Sequence, residues 1–269
     1  MNPRKIWIVL ICISLSMLFW SSCVTSTSTE ENDTAQSVSP QKVKQVLVVT
    51  TSDWDTAEGT LTQYELWESE AGDEGEWKQA GEKVPVLIGK NGLGWGIGLE
   101  DYRGMEGPVK QEGDLKSPAG IFALGTAFGY ALPEEVGAMD WEYTPVVETT
   151  MCIEDTGSVA YNRILDEGTR EADWTSTDHM LRDDDLYEWG VFVLHNAQPA
   201  VPGGGSCIFL HVWREGGSGT AGCTSMAKGK MKSILDWLDP DLDPVLIQVT
   251  ASGYPGLVEG GNWPDPELK

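Results

Sequence analysis

The sequence predicts a mainly β domain with one short helix near its end. Three observations predict it. β-branched and aromatic runs of strand length recur from Val46 onward, Gly and Pro punctuate the gaps between them, and only residues 226–238 carry apolar side chains at helical spacing. A chain of 269 residues can bury a core without disulfide or metal staples. Its apolar content and twelve Trp fit a packed domain rather than a disordered one.

The elements follow in order. Residues 46–51 (VLVVTT) form the first strand. Residues 60–68 alternate through Leu61, Tyr64 and Leu66 to Trp67. The acidic, Gly-bearing stretch 71–75 reads as a hairpin turn, and Trp77 with residues 84–89 continues the sheet. Clustered Gly around Trp95, in residues 89–105, marks tight turns and close backbone approach. It lacks the Gly-Lys-Ser/Thr of a nucleotide loop. Residues 187–194 and 207–212 read as strands joined by the Pro- and Gly-rich loop 198–205. The helix at 226–238 puts Met231, Ile234, Leu235 and Leu238 on one face and stops at Asp239-Pro240. Residues 245–249 are a last strand. With no internal repeat or linker, one domain spans residues 44–251, followed by a Gly/Pro-rich tail at 252–269.

The N-terminal stretch does not belong to the fold. Residues 1–23 read as an export signal, with Arg4 and Lys5 before an apolar run at 6–20 that is short for a membrane span. The run ends in Trp20-Ser21-Ser22-Cys23. Small residues directly before a Cys resemble the bacterial lipobox, in which that Cys is lipidated and becomes the mature N-terminus. Trp20 stands where Leu is usual, so ordinary cleavage and an uncleaved anchor are the alternatives. Residues 24–43 are a flexible polar linker by composition. The expectation is an exported, membrane-anchored lipoprotein of the periplasm or cell envelope. The balance of 18 basic and 42 acidic residues, net −24, repels phosphate backbones and disfavours nucleic acid as a partner.

The candidates for chemistry are few: three His (His179, His195, His211) and five Cys, of which Cys12 and Cys23 lie in the signal. Cys223 follows small residues in Gly219-Thr220-Ala221-Gly222-Cys223, just before the expected helix. A helix N-terminus there would favour a thiolate, and backbone N–H groups would stabilise an oxyanion. His211 ends the apolar strand Ile208-Phe209-Leu210, twelve positions earlier, and pairs with Cys223 as base to nucleophile. His195 also ends a strand and reads as structural or cleft-lining; His179 reads as exposed. A zinc site from His195, His211 and Cys207 or Cys223 lacks the usual ligand spacing.

The segment from Gly205 to Trp213, followed by Thr220-Ala221-Gly222-Cys223-Thr224, resembles the signature of YkuD-type L,D-transpeptidases. Residues 110–122, with Gly113-Asp114-Leu115-Lys116-Ser117-Pro118-Ala119-Gly120, resemble the entry strand of the same family. Tyr161-Asn162-Arg163 after Asp155 resembles a cleft segment of its longer members. The chain departs from the commonest pattern at Ala221, where His is usual, and at Thr224-Ser225, where Ile-Arg is usual.

The resemblance implies a β-sandwich or barrel-like catalytic domain with its short helix after the catalytic Cys. It implies a Cys-dependent acyltransferase acting on peptidoglycan peptide stems without cofactor or metal. Cys223 would be the nucleophile and His211 the base. Gly222 and Cys223 would lend backbone donors, Thr220 would orient His211 or line the oxyanion site, and Arg163 and Arg214 would bind substrate carboxylates. An L,D-carboxypeptidase or hydrolase on this fold, and a silent wall-binding lipoprotein, are the alternatives. The odd number of remaining Cys makes a Cys152–Cys207 disulfide a hypothesis by count alone.

Overall fold

Strand β1 (Gln45–Thr51) is buried along nearly its whole length, as its unbroken β-branched run requires of a strand covered on both faces. It pairs antiparallel with β2 (Glu58–Trp67), which pairs with β3 (Glu76–Gln79) and β4 (Val84–Leu87). The computed structural model describes residues 43–266 apart from 69–74, 101, 103, 138, 140 and 198. The expected signal at 1–23, Cys23 and the expected linker up to residue 42 lie outside the described residues, as does most of the turn expected at 71–75.

The remaining strands are β5 (Leu93–Trp95), β6 (Ser117–Gly129), β7 (Tyr143–Pro145), β8 (Thr150–Ile153), β9 (Ile164–Asp166), β10 (Thr177–His179), β11 (Trp189–Val193), β12 (Phe209–Val212), β13 (Thr224–Met226) and β14 (Val245–Thr250). The path β1-β14-β6-β11-β12-β13-β4-β2 returns to β1, because β1 pairs with both β14 and β2. The protein is thus mainly β and barrel-like, and closure leaves these strands no free edge. The long strand β6 pairs on its two sides with β14 and β11 and also takes β5 and β7. Strands β8, β9 and β10 form a separate small sheet.

The one longer helix, α1 (Lys228–Trp237), buries Met231, Ile234 and Leu235 in the core shared with β1, β6 and β14. Each such side chain contributes roughly 2 kcal/mol of burial. Helix α1 starts later than the sequence pattern suggested. Met226 belongs to β13, and Ala227 is the residue before the first turn. The short α2 (Tyr254–Leu257) lies in the expected tail. That tail packs: Tyr254 is buried and its hydroxyl donates to the Pro264 carbonyl at 2.5 Å, and Trp77 Nε1 donates to the Asn262 carbonyl at 3.1 Å. No helix of the described residues is long and apolar enough to cross a membrane.

Candidate functional site

Strands β12 and β13 run parallel, with Leu210 opposite Thr224 and His211 opposite Ser225. This register sets Cys223 beside Phe209, whose N–H donates to Cys223 Sγ at 3.4 Å. Tyr187 gathers the site: its ring meets His211 edge-on at 5.3 Å and Phe209 at 5.4 Å, and Cys223 packs in the same apolar cluster. Parallel pairing needs a crossover, which the loop from Trp213 to Gly222 supplies. The sequence places Cys223 and His211 twelve positions apart; the crossover leaves both beside Tyr187, His211 against its ring and Cys223 in its apolar cluster.

The expectation of a helix N-terminus at Cys223 is corrected. Strand β13 intervenes, and α1 begins at Lys228. The macrodipole acts only over the first turn, so it does not lower the thiol's pKa here.

Burial instead sets both protonation states. Cys223 is 8 % exposed, and loss of solvent pushes its thiol up to about 12. The Phe209 N–H opposes this shift, and Asp178 adds to it. Burial also lowers His211 to about 4, against the Val212 and Leu186 carbonyls that favour the charged ring. The resting pair is therefore thiol and neutral imidazole. Nδ1 of His211 lies 2.7 Å from the Val212 carbonyl, which can only accept, so Nδ1 carries the proton and Nε2 keeps its lone pair. The Cys223 thiol points its proton at the Cys207 carbonyl, 3.5 Å away. Among the described residues no hydrogen bond joins Cys223 to His211.

The turn before Cys223 is held from two directions. Thr220 Oγ1 accepts from the Gly222 N–H at 3.1 Å and donates to the Cys223 carbonyl at 2.6 Å. Thr220 thus shapes the turn, and its hydroxyl is not directed at His211. Gly222 has φ +155, and a Cβ there would come within 3.1 Å of the Lys116 carbonyl. From the other side, Ser117 Oγ donates to the Gly222 carbonyl at 2.6 Å and the Cys223 carbonyl at 3.0 Å, and accepts from Gly89 N–H at 2.8 Å. Asp114 folds the loop that delivers Ser117. It accepts from Gln111 N–H at 2.7 Å, Lys116 N–H at 2.9 Å and the buried Lys110 ammonium at 2.6 Å.

The small sheet reaches the site through Cys152 of β8, which is disulfide-bonded to Cys207. Cys207 was expected as the first residue of a strand. It sits instead before β12 in a left-handed conformation, φ +54, at a cost of about 1–2 kcal/mol for an L-residue. The bond to Cys152 ties this residue to the small sheet, and closing a separation of 55 residues it stabilises the fold by about 4 kcal/mol, mainly by constraining the unfolded chain. Asn162 adds a second tie. Its Oδ1 accepts from Cys207 N–H at 2.8 Å, and its Nδ2 donates to the carbonyls of His195 and Asn196, each at 2.8 Å.

Arg163 is exposed next to β9 on the small sheet. Arg214, 68 % exposed, is ion-paired to Asp184 at 2.6 Å. Arg182, which sequence reasoning missed, forks onto the same carboxylate at 2.8 and 2.9 Å and lies over the Tyr187 ring at 5.2 Å. These partners hold Asp184 well below the usual carboxylate range. Ser117, Tyr187 and Asn162 were also missed as site residues; the quoted motif segments hold Ser117 and Asn162, and nothing in the sequence marks Tyr187. His195 is buried, accepts from Ile97 N–H at 3.2 Å and pairs with the Gly204 carbonyl at 3.0 Å, a structural role. Glu154 is pushed up to about 7 by burial and by the charges of Asp178 and Glu112. Among the described residues no three His, Cys, Asp or Glu side chains converge as a metal site.

The family model of the L,D-transpeptidase catalytic domain, YkuD, matches residues 78–247. That span runs from β3 into β14 and contains the Ser117, His211 and Cys223 segments. No curated protein and no solved structure matches the chain.

Proposed function

The chain belongs to the YkuD family of L,D-transpeptidase catalytic domains, and from that premise we propose that it cross-links peptidoglycan stems through a thioacyl intermediate on Cys223. The family acts on peptidoglycan peptides. The observation that carries the finer reading is the tautomer of His211. Its Nδ1 proton is held by the Val212 carbonyl, so Nε2 is the ring's basic nitrogen, and Tyr187 packs against both this ring and the cluster that holds Cys223.

The proposed reaction starts from thiol and imidazole. The stem's L,D-peptide carbonyl, between the third residue and the terminal D-Ala, settles beside Cys223. Nε2 of His211 takes the thiol proton as sulfur bonds to the carbonyl carbon. The imidazolium formed is the state that the Val212 and Leu186 carbonyls favour. Gly222 N–H is engaged by Thr220, so the Cys223 N–H is the donor left for the oxyanion. Collapse breaks the C–N bond, and D-Ala leaves with the proton from His211. The amine of a second stem then attacks the thioester, gives its proton to His211 and returns the thiol, leaving a 3–3 cross-link. Water in place of the amine gives carboxypeptidase activity. Arg163 and Arg214 are the proposed ligands of stem carboxylates; Arg214 would exchange its pairing with Asp184 for the substrate.

The N-terminal features extend the proposal to an exported lipoprotein anchored through Cys23, with no nucleic-acid partner. Metabolic lipid labelling of the wild type and of Cys23→Ser tests the anchor, and label retained by the variant overturns it. The activity is tested by incubating the full chain with disaccharide-tetrapeptides beside Cys223→Ala and reading products by mass. Loss of D-Ala with a Cys223-dependent dimer is expected. Monomer alone would move the assignment to a carboxypeptidase. No product and no adduct on Cys223 would leave a wall-binding role.

A further inference from the structure

The acceptor of the Cys223 thiol proton is a backbone carbonyl held in place by another element. Cys207 O receives that proton at 3.5 Å. Cys207 has the left-handed φ of +54, a conformation that persists in an L-residue only where its surroundings over-determine it. Two ties supply that determination, and both lead to the small sheet. One is the bond to Cys152 in β8; the other is the Asn162 side chain on Cys207 N–H, with Asn162 N–H in turn on the Ile153 carbonyl at 2.8 Å. Glu112, just before the Ser117 loop, closes the same seam. It accepts from Tyr161 at 2.5 Å and from Ser206, next to Cys207, at 2.7 Å.

The small sheet also carries Glu154, next to β8, and Asp178 in β10, whose charges act on Cys223. The position of the thiol, the acceptor of its proton and the charges around it therefore depend on where this sheet is fixed. All three Cys of the domain lie in one apolar cluster.

We propose that the Cys152–Cys207 disulfide is a positioning element for the nucleophile: it locks the small sheet to β12 and aims the Cys207 carbonyl at Cys223, so that full activity requires the oxidised protein. The proposal rests on Cys223 being the nucleophile. Reduction by a dithiol supplies two electrons and two protons, giving the Cys152 and Cys207 thiols and the cyclic disulfide of the reductant. Cys207 then loses one of its two ties, its backbone relaxes from the left-handed region, and Cys223 loses its proton acceptor and part of its cover.

The test uses the full chain in three forms: oxidised, reduced with dithiothreitol and desalted without air, and Cys152→Ser/Cys207→Ser. Three quantities are read: kcat and KM on the tetrapeptide, the alkylation rate of the Cys223 peptide by iodoacetamide across pH, and circular dichroism. The expected result is kcat lower by about tenfold or more, alkylation of Cys223 faster by about fivefold at neutral pH, an unchanged dichroism spectrum, and recovery on reoxidation. Wild-type kcat and alkylation in a reduced protein whose two thiols are mapped as free overturn the proposal. Activity lost together with the dichroism signal also overturns it, since the bond would then hold only the fold. If the double variant does not fold, the reduced wild type decides by the same criteria. An oxidised wild type with no turnover counts against the nucleophile reading alone, because the alkylation profile still reports whether the disulfide positions the thiol.

Discussion

Ser117 Oγ binds the carbonyls of both Gly222 and Cys223, at 2.6 and 3.0 Å, across 105 and 106 positions of sequence. One hydroxyl thus fixes the backbone that carries Cys223 to the start of β6, the longest strand of the barrel. Two of the three sequence segments that resemble the family, residues 110–122 and the Cys223 segment, meet through this contact.

Ser117→Ala should destabilise the protein by about 2 kcal/mol, because it leaves buried carbonyls and the Gly89 N–H without that partner. It should also lower kcat by more than about tenfold, since the displaced turn misplaces Cys223, the proposed nucleophile. Denaturant unfolding and muropeptide kinetics check both. A stable variant with normal turnover would show that the contact does not position Cys223.

Thiol reactivity should report the neutral resting pair. With Cys223 pushed up to about 12 and His211 lowered to about 4, both by burial, no ion pair forms in the free enzyme. Alkylation of Cys223 should be slow at neutral pH and keep rising into the alkaline range. A plateau of thiolate reactivity below neutral pH would contradict this state.

Stability should fall with acidification. His195 and His211 both sit at about 4 in the fold, against an unfolded value near 6.5. The unfolded chain therefore takes up protons first. The stability present above pH ~6.5 is lost as pH falls towards about 4, by up to roughly 3 kcal/mol for each ring. Glu154, raised to about 7, works in the opposite sense over much of this window and offsets part of the loss. Unfolding midpoints across this range should be flatter for His195→Gln than for the wild type. An equal slope would show that His195 is not the titrating group.

The two arginines should separate. Arg163→Ala should raise KM by about tenfold with little change in kcat, as loss of a charged hydrogen bond to substrate does. Arg214→Ala should alter stability by less than about 1 kcal/mol, because its pairing with Asp184 is largely exposed. An unchanged KM for Arg163→Ala removes it from the substrate site.

The sequence by itself determined the mainly β class, the first and last strands, and the family signature segments that single out Cys223 and His211 as candidates. Those features are local: a run such as Val46–Thr51 needs no partner to be legible, and the small residues around Cys223 mark its backbone turn directly. Only the tertiary structure decided the rest. Ser117, Tyr187 and Asn162 act across long separations, and no local pattern distinguishes a hydroxyl, a ring or an amide that meets its partner from one that does not. The helix at Cys223 was misplaced for the same reason. Met226 fits a helical stripe, but β13 pairs with β12 and β4, and those ladder bonds override the local pattern. The protonation of the site was likewise invisible, because burial of the thiol and the imidazole arises only once the barrel and the small sheet close around them.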